Sequence, residues 1–412
     1  PMDGCQGFPE PSILNHQTRS IMRLSRQVLV FCYIVIQSLS PALAQETDSV
    51  FSLRPFLQLS FAQTATTVNN DMVVTWSTHI PTVSWVEYGI DSTRLSPVWH
   101  IEEGKVVANN TIHHITLTDL KPQQRYYYRV CSQVVKDFRY RHITLGDTAR
   151  SRIYSFVMPD LQSNDFSIVI YNDIHRHQET ITALTEKVQD VTADLIIFNG
   201  DCLVEPDSEQ DLVDMLAVLN EKVDAAENPV LYLRGNHEAR GAWSWHLHDY
   251  LHFLDGSLYG AFNWGNTRFV MLDFGETRSD DNPQFAHLNR NDLFREQVGG
   301  FLKSELCSAP FKNAQHRVLI HHVPLYGYEG CDPLHDVWGR LLTNAPFNIC
   351  LNADLHEYAY LSPEKGVHPF PVVIAGGAEP CIATVFVLTK SDGHLHLKAL
   401  KAEGGILLDK DF

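Results

Sequence analysis

The pattern that most constrains the fold lies in the second part of the chain, where short apolar segments alternate with amphipathic ones. Apolar stretches at 166–171, 195–198 and 230–233 are separated by helix-like patterns near 179–190 and 209–222. Strands that alternate with helices in this way predict βαβ units and a layered α/β domain. Further strands are expected at 318–320, 348–351, 372–374, 382–388 and 394–397.

Five of these strands are followed immediately by polar residues of types that bind metals. The five segments are Asn172-Asp173-Ile174-His175, Asn199-Gly200-Asp201, Gly235-Asn236-His237-Glu238, His321-His322-Val323-Pro324 and Asn352-Ala353-Asp354-Leu355-His356. Open α/β sheets place their sites at the carboxyl ends of strands. Each segment alone is more typical of a turn or helix cap. Their joint order is the informative feature.

The first part of the chain has the period-two alternation of short β-strands, with turn residues between them. Strands are expected at 71–78, 84–88, 113–120, 125–130 and 152–157, a spacing typical of a β-sandwich. The segment from Leu120 through Pro122 to Tyr126 resembles the tyrosine corner of fibronectin type III domains, and Trp76 is the expected core aromatic. A structural role is favoured for this module over ligand binding, because a sandwich by itself indicates no function.

The beginning of the chain has the pattern of an export signal. Met22, Arg23 and Arg26 precede an apolar run at 28–36, and small residues at 42–44 form a cleavage site. Residues 1–21 precede a plausible initiator, Met22. We therefore expect residues 1–44 to be removed and the mature protein to be secreted or periplasmic.

The apolar run of this leader is too short to span a bilayer, so no stable membrane span is expected once it is removed. Export permits disulfide bonds, but irregular spacing leaves their pairing open. The cysteines that remain after removal of the leader are Cys131, Cys202, Cys307, Cys331, Cys350 and Cys381.

Length and charge add two further limits. A chain of 412 residues predicts more than one domain, here an all-β domain at 45–160 and an α/β domain at 161–412. The formal net charge of -17 opposes binding to the phosphate backbone of nucleic acids and to anionic membranes. No nucleic-acid affinity is therefore expected.

The five polar segments, in their order along the chain, resemble the calcineurin-like metallophosphoesterase superfamily. With the all-β domain in front, the chain is similar to the branch related to purple acid phosphatases. The resemblance covers roughly residues 50–412. It implies a four-layer α/β/β/α metallophosphoesterase domain that follows the fibronectin-like sandwich and hydrolyses phosphate esters.

The resemblance also implies roles for individual residues. One metal ion is held by Asp173, His175, Asp201 and His356, and a second ion, to which Asp201 bridges, is held by Asn236, His322 and Asp354. His237 lies beside the pair as a proton donor. His322 is preferred to His321 because the ligand of the family lies two residues before the proline.

Such a ligand set suits two ions of Mn, Fe or Zn, whose identity the sequence leaves open. Two ions can bind the phosphoryl oxygens and turn a bridging water into hydroxide, which then attacks phosphorus in line. No side-chain nucleophile is needed, and the leaving group takes a proton from an imidazolium. The substrate can be a monoester or a diester.

Two positions depart from the family pattern. Val204 stands where purple enzymes have a tyrosine, so no tyrosinate-to-iron colour is expected. Asp354 stands where the family has the first histidine of Gly-His-x-His. Asp354 either ligates the second ion or marks a lost site. In the second case the chain is a non-catalytic binding or scaffold protein, whose sandwich holds a glycan or a protein.

Three other features have two interpretations each. Arg234 either reaches a substrate phosphate or forms a structural salt bridge. Cys202 is favoured as a packing residue over a ligand. The segment that contains Trp243, Trp245, His246 and His248 is a candidate lining of the substrate cleft.

Overall fold

The computed structural model describes residues 50–61, 70–254, 256–327 and 338–412, which belong to one compact unit. The predicted leader and Cys331 lie outside the described residues. No helix in the described ranges is long and apolar enough to cross a membrane. The five cysteines within these ranges are all free thiols.

The first part of the described chain is an all-β domain. Its seven-stranded antiparallel sheet contains β1 (Phe51–Leu59), β2 (Met72–Gly89), β3 (Ser96–Trp99), β6 (Ala108–Leu117), β7 (Arg125–Arg139), β8 (His142–Arg150) and β9 (Tyr154–Val157). The short strands β4 (Ile101–Glu102) and β5 (Lys105–Val106) form a separate hairpin. An all-β domain before the α/β domain is thus confirmed.

The two strands predicted at 71–78 and 84–88 are one strand, so this part of the prediction was wrong. Strand β2 runs through both segments and pairs with β6 from Met72 to Val83, with a register irregularity between Ser77 and Thr82. Exposed residues at 79–81 resemble a turn in the sequence. A β-bulge accommodates them without ending the strand.

The tyrosine corner forms as expected. The hydroxyl oxygen of Tyr126 accepts a hydrogen bond of 2.9 Å from the backbone N–H of Lys121. Trp76 is fully buried and donates its indole N–H to Ser132 Oγ at 3.1 Å. These contacts hold the loop before β7 against the domain core, while the closer likeness to fibronectin type III domains stays a prediction.

The second part of the chain contains two six-stranded sheets. In spatial order, the first consists of β12 (Val230–Leu233), β11 (Leu195–Asn199), β10 (Phe166–Tyr171), β19 (Thr384–Ser391), β20 (His394–Lys401) and β21 (Ile406–Asp411). The second consists of β13 (Gly260–Trp264), β14 (Thr267–Met271), β15 (His316–Ile320), β16 (Ile349–Asn352), β18 (Val372–Ile374) and β17 (Ala359–Leu361). The helices are α1 (Gln178–Lys187), α2 (Glu209–Lys222), α3 (Leu247–Tyr250), α4 (Asn291–Cys307), α5 (Ala309–Asn313) and α6 (Arg340–Leu342).

Alternating side chains along the strands show how the layers stack. On β10, Ile168 and Ile170 belong to the core shared by the two sheets, whereas Val169 and Tyr171 pack with α1 and α2. On β14, Met271 faces the shared core and Val270 packs with α4. Because successive side chains of a strand point to opposite faces, this division defines four layers. The predicted α/β/β/α architecture is confirmed.

Most predicted elements are found within one to three residues of their expected bounds. The strand expected at 382–388 begins only at Thr384, because the N–H groups of Ile382 and Ala383 bond back to the carbonyl of Glu379 in a turn.

The predicted domain boundary at 160 stays a prediction. The sheets change between β9 and β10, but Leu57 N–H and Tyr128 Oη donate to the carbonyls of Ala225 and Ala226, so the two parts are hydrogen-bonded together.

Candidate metal centre

The predicted ligands converge at the carboxyl ends of strands from both inner sheets. Two groups of side chains place their ligand atoms within 4.8 Å of one another, and both groups contain Asp173. The first group is Asp173, His175 and His356, and the second is Asp173, Asp201 and His322. Residues from β10, β11, β15 and β16 therefore form one cluster.

The carboxylates of Asp173 and Asp201 lie between His322 on one side and His175 and His356 on the other. Asp173 Oδ1 is 3.5 Å from His356 Nε2 and 3.6 Å from His322 Nε2. Asp201 Oδ2 is 3.2 Å from His322 Nε2 and 3.9 Å from His175 Nε2. Each carboxylate is thus within reach of both groups, and the bridging role assigned to Asp201 stays a prediction.

His322, and not its neighbour, points into the cluster. Its Nδ1 lies 2.8 Å from the carbonyl oxygen of Asn199 and donates to it, which leaves Nε2 facing the carboxylates. The ring of His321 lies against Val323, Cys350 and Asn352 instead. The sheet packing therefore presents one histidine of the pair to the site.

Two buried atoms of the cluster have no hydrogen-bond partner among the described residues. They are Asp173 Oδ1 and His322 Nε2, which face each other. A buried polar atom without a partner is costly. A cation bound by carboxylate oxygen and imidazole nitrogen would satisfy both atoms, so these residues fit a metal site.

The amide of Asn236 lies against the same carboxylates. One amide atom is 3.3 Å from Asp201 Oδ2 and 3.0 Å from Asp354 Oδ1, and the other is 3.1 Å from a guanidinium nitrogen of Arg240. With its nitrogen toward the carboxylates the amide donates to both, and with its oxygen there it offers a ligand atom. Asn236 is placed for the predicted role, which stays a prediction.

Asp354 completes the cluster on the side of His322. Its Oδ1 is 3.9 Å from His322 Nε2, and its backbone N–H donates to Asp173 Oδ2 at 3.0 Å. Burial raises the pKa of Asp354 to about 6, and the nearby carboxylates of Asp173 and Asp201 add to this shift against the opposing effect of His322. A cation beside these carboxylates would favour their charged forms.

Neighbouring charges shift the pKa of Asp201 and the pKa values of two histidines of the cluster in opposite directions. Burial disfavours the charged form of Asp201, but the adjacent His322 and His237 lower its pKa overall. Burial likewise disfavours protonated His322, yet Asp201 and Asp173 raise its pKa. The adjacent carboxylate of Asp173 raises the pKa of His356. The imidazoles thus offset part of the negative charge of the carboxylates, which a bound metal ion would otherwise offset.

The backbone at this site is strained. Five of the predicted ligands have left-handed backbone angles: Asp173 (φ 47°), His175 (φ 50°), Asp201 (φ 50°), Asp354 (φ 69°) and His356 (φ 55°). Such conformations cost free energy and cluster at functional sites. Gly235 and Gly377 allow close approach, because a Cβ atom on them would collide with Asp201 and His356, respectively.

Glu238, which follows His237 in the third polar segment, joins two loops of the site. Its buried carboxylate accepts backbone N–H groups from Asp201, Cys202 and Leu203 at 2.7–2.9 Å. It also accepts the N–H of Gly235 at 2.9 Å. Glu238 therefore fixes two ligand-bearing loops to each other as a positioning residue. Its place three residues after Gly235 was the only available sequence signal.

Replacing Glu238 by glutamine should loosen these loops. The amide nitrogen of glutamine cannot accept, so some of the N–H groups would lose their acceptor at a cost of about 2–4 kcal/mol. We expect a lower free energy of unfolding and weaker metal binding, measured by denaturant titration and by metal analysis. Glu186→Gln, on α1 away from these loops, is the control. Unchanged stability and metal content would contradict the positioning role.

His237 lies beside the cluster in a second hydrogen-bonded group. Arg240 donates to its Nε2 at 2.8 Å, and its Nδ1 is 3.1 Å from Glu205 Oε1. Because a guanidinium only donates, the ring proton of this arrangement sits on Nδ1. Arg240 is itself held by Glu276 through bonds of 2.5 and 2.8 Å. No sequence signal indicated the Arg240–Glu276 pair, which joins loops 36 residues apart.

The structure shows which groups surround the other three features that had two interpretations in the sequence. Arg234 forms a two-bond ion pair with buried Asp273, at 2.8 and 3.2 Å, as the salt-bridge interpretation expects. Cys202 is buried and donates to the carbonyl of Gly200, and burial raises its pKa well above the usual value. The rings of Trp243 and His246 lie 4.2 Å apart at a tilt of 33°, in an exposed segment that also contains the almost fully exposed Trp245. Nothing in these contacts assigns the segment to the cleft.

A four-layer α/β/β/α domain with two carboxylate–histidine groups at its strand ends defines a metal-dependent hydrolase of the phosphoesterase class. Residues 166–358 match the family model described as calcineurin-like phosphoesterase, and residues 57–158 match the N-terminal domain of purple acid phosphatase. Residues 166–358 are therefore a calcineurin-like phosphoesterase domain, and the domain before it is of the purple acid phosphatase N-terminal type.

Solved structures show the same fold. The purple acid phosphatase PPD1 from yellow lupin (Lupinus luteus) superposes with a TM-score of 0.61 at 14% identity, covering 87% of this chain and 73% of that one. PhoD superposes with a TM-score of 0.57 at 11% identity, covering 88% and 93%. No curated protein sequence matches this chain.

Proposed function

We propose that the protein hydrolyses phosphate esters with two metal ions at this centre and that it acts after export. The observation that carries the proposal is the pair of ligand groups around Asp173, with the partnerless buried atoms of Asp173 and His322 between them. Asp173, His175, Asp201 and His356 would hold one ion, and Asn236, His322 and Asp354 would complete the site of the other. When bound, such ions polarise the phosphoryl group and activate a water molecule.

The protein's own groups would position the reactants. Glu238 holds the loops of Asp201 and Gly235, and the Asn199 carbonyl fixes the tautomer of His322. His237 lies 3.8 Å from Asp201 Oδ2 through its Nε2, at the edge of the cluster, and is about one-quarter exposed. Proton transfer from Nε2 to a leaving group would need the imidazolium form, in which Nε2 carries a proton and releases its contact with Arg240.

The test combines metal content with hydrolysis. Purified protein is stripped with chelator, reloaded with Mn, Fe or Zn, and assayed with nitrophenyl phosphate and bis-nitrophenyl phosphate. Two ions per chain together with metal-dependent ester hydrolysis support the proposal. One ion or none, in a folded protein without hydrolysis, would instead support the non-catalytic binding or scaffold protein.

The acid role of His237 predicts a dependence on the leaving group. His237→Ala should keep its metal and lose rate mainly on alkyl phosphates, by about 100- to 10,000-fold, because a poor leaving group needs the proton. Nitrophenyl esters should be affected far less. His246→Ala, in the exposed segment nearby, serves as the control. Equal losses on both ester types would count against the role.

Export is proposed from the basic start, apolar run and small-residue end at residues 22–44. The test is to express the chain in a secreting host and to sequence the amino terminus of the protein recovered outside the cell. A mature chain that begins at Gln45 supports export and cleavage. Full-length protein retained inside the cell would refute them.

A further inference from the structure

One hairpin of the all-β domain extends beyond the sheet. Strand β7 pairs with β2 as far as Val134, and after that point its described pairing is with β8. In this register Phe138 lies opposite Ile143, and Val135 lies opposite Leu145. Residues paired across two strands share a face, so the outer end of the hairpin, residues 135–145, has one apolar face.

This apolar face is exposed to solvent. The exposed fractions are 47% for Phe138, 58% for Ile143 and 41% for Leu145, and Tyr140 at the tip is 87% exposed. The opposite face is polar, since Asp137 there forms ion pairs with Arg139 and His142. A contiguous apolar face of this kind typically marks a binding surface.

The charge of this region is opposite to that of the whole chain. Residues 125–152 contain two acidic side chains, Asp137 and Asp147, whereas the chain as a whole has a net charge of -17. The same segment contains seven basic side chains: Arg125, Arg129, Lys136, Arg139, Arg141, Arg150 and Arg152. At the tip, the guanidinium of Arg141 lies 5.0 Å from the ring centre of Tyr140. Arg129, Arg139 and Arg152 form ion pairs with Glu87, Asp137 and Glu227, so Lys136 and Arg141 give the hairpin at 135–145 its net positive charge. The hairpin is thus an apolar and weakly basic segment on an acidic protein.

We propose that the hairpin at 135–145 docks the protein onto an anionic lipid surface. Phe138, Tyr140 and Ile143 enter the interface between headgroups and acyl chains, where aromatic rings are favoured. Arg141 at the tip contacts anionic headgroups, which attract basic residues, while Arg139 stays paired with Asp137 on the polar face.

Lipid fits this surface better than other anionic partners. A stable protein interface needs about 800 Å² on each partner, whereas insertion into a lipid interface needs only the few apolar side chains at the end of the hairpin. Nucleic acid would use the charge but leave the apolar face in water. The proposal is independent of the phosphoesterase activity, because none of these residues belongs to the metal centre.

The test measures sedimentation of the whole protein with vesicles. Wild type should bind vesicles of equal parts phosphatidylcholine and phosphatidylserine, bind phosphatidylcholine alone at least about tenfold more weakly, and be released by high salt. Phe138→Ser/Ile143→Ser should weaken binding at least about tenfold through the loss of buried apolar area. Arg141→Glu, a change in an exposed turn, should weaken it through charge.

Two control variants match these changes elsewhere in the domain. Ile101→Ser/Val106→Ser removes an exposed apolar pair from the β4–β5 hairpin beside acidic Glu102. Arg94→Glu reverses an exposed charge in a loop. Both controls should bind vesicles as wild type does.

Three outcomes would overturn the proposal. They are wild type that ignores phosphatidylserine vesicles, controls that lose binding as strongly as the hairpin variants, and a wild-type dimer that Arg141→Glu converts to a monomer without any vesicle binding. The last outcome would identify the hairpin as a contact between copies of this chain. Arg141 is an exposed turn residue outside both strands, and the free energy of unfolding of Arg141→Glu is measured beside wild type to separate loss of binding from unfolding.

Discussion

Asp201→Ala is expected to abolish hydrolysis and to lower bound metal to less than one ion per chain. Asp201 Oδ2 lies 3.2 Å from His322 Nε2 and 3.9 Å from His175 Nε2, so removing this carboxylate takes a candidate ligand from both groups. A metal centre contributes several kcal/mol to transition-state stabilisation, which corresponds to a loss of about a thousandfold or more. Metal analysis and phosphate release on the same sample measure both effects.

Asp194→Ala is the matched control for this substitution. Asp194 precedes the same strand, β11, at its amino end, and its Oδ2 accepts the N–H of Ser167 at 2.8 Å. Its loss should cost about 1 kcal/mol of stability and leave metal and activity unchanged. An Asp201→Ala protein with full metal content and full activity would show that Asp201 is not a ligand.

Asp354→Asn is expected to reduce bound metal to about one ion and activity by about tenfold to a thousandfold. Its Oδ1 faces His322 and the amide of Asn236. Asparagine keeps the left-handed backbone that this position requires (φ 69°), whereas alanine would add strain. Metal content and hydrolysis are compared under identical Mn, Fe and Zn supply.

Asp354→His distinguishes a working site from a decayed one. Histidine restores the residue that the family resemblance implies, so an active enzyme should remain active with an altered metal preference, because imidazole is a softer donor. Asp392→Asn, at another left-handed aspartate in an exposed turn, controls for the backbone effect. A poorly active wild type that gains activity with Asp354→His would support a decayed centre. An active wild type whose metal content and hydrolysis are unchanged by Asp354→Ala, which removes every ligand atom of the side chain, would show that Asp354 is not a ligand.

Much of the α/β domain could be predicted because its strands are short, apolar and bounded by polar residues. The bounds of β12 and α2 match their predictions to the residue. The all-β domain was harder, because a bulge in β2 has the same local composition as a turn. Pairing with β6 on the neighbouring strand, and not local propensity, keeps that strand continuous.

The candidate site likewise contains residues that the sequence could identify and residues that it could not. Asp173, His175 and Asp201 could be identified because each lies just past a strand with a clear apolar pattern. Arg240 and Glu276 could not, since an ion pair between two loops leaves no periodic signal. The choice of His322 over His321 rested on the family resemblance, and the structure shows a physical difference: one ring donates to Asn199 and the other to Val323.

The net charge of the whole chain does not predict the charge of one part of its surface. A value of -17 argues against anionic partners, yet the hairpin at 135–145 concentrates basic and apolar side chains in one place. Averages over a sequence do not report which residues share a surface.

The sequence by itself determined the order of strands and helices in the second domain and the residue types at the strand ends. These properties depend on local periodicity, which a chain carries in its own residues. Only the tertiary structure decided that the two sheets stack face to face, which brings His356 within 3.1 Å of His175 although 181 residues separate them. It likewise decided which nitrogen of His322 faces the carboxylates and which face of the β7–β8 hairpin meets solvent. These outcomes depend on packing between distant segments, where burial and hydrogen bonding select one arrangement that no local pattern specifies.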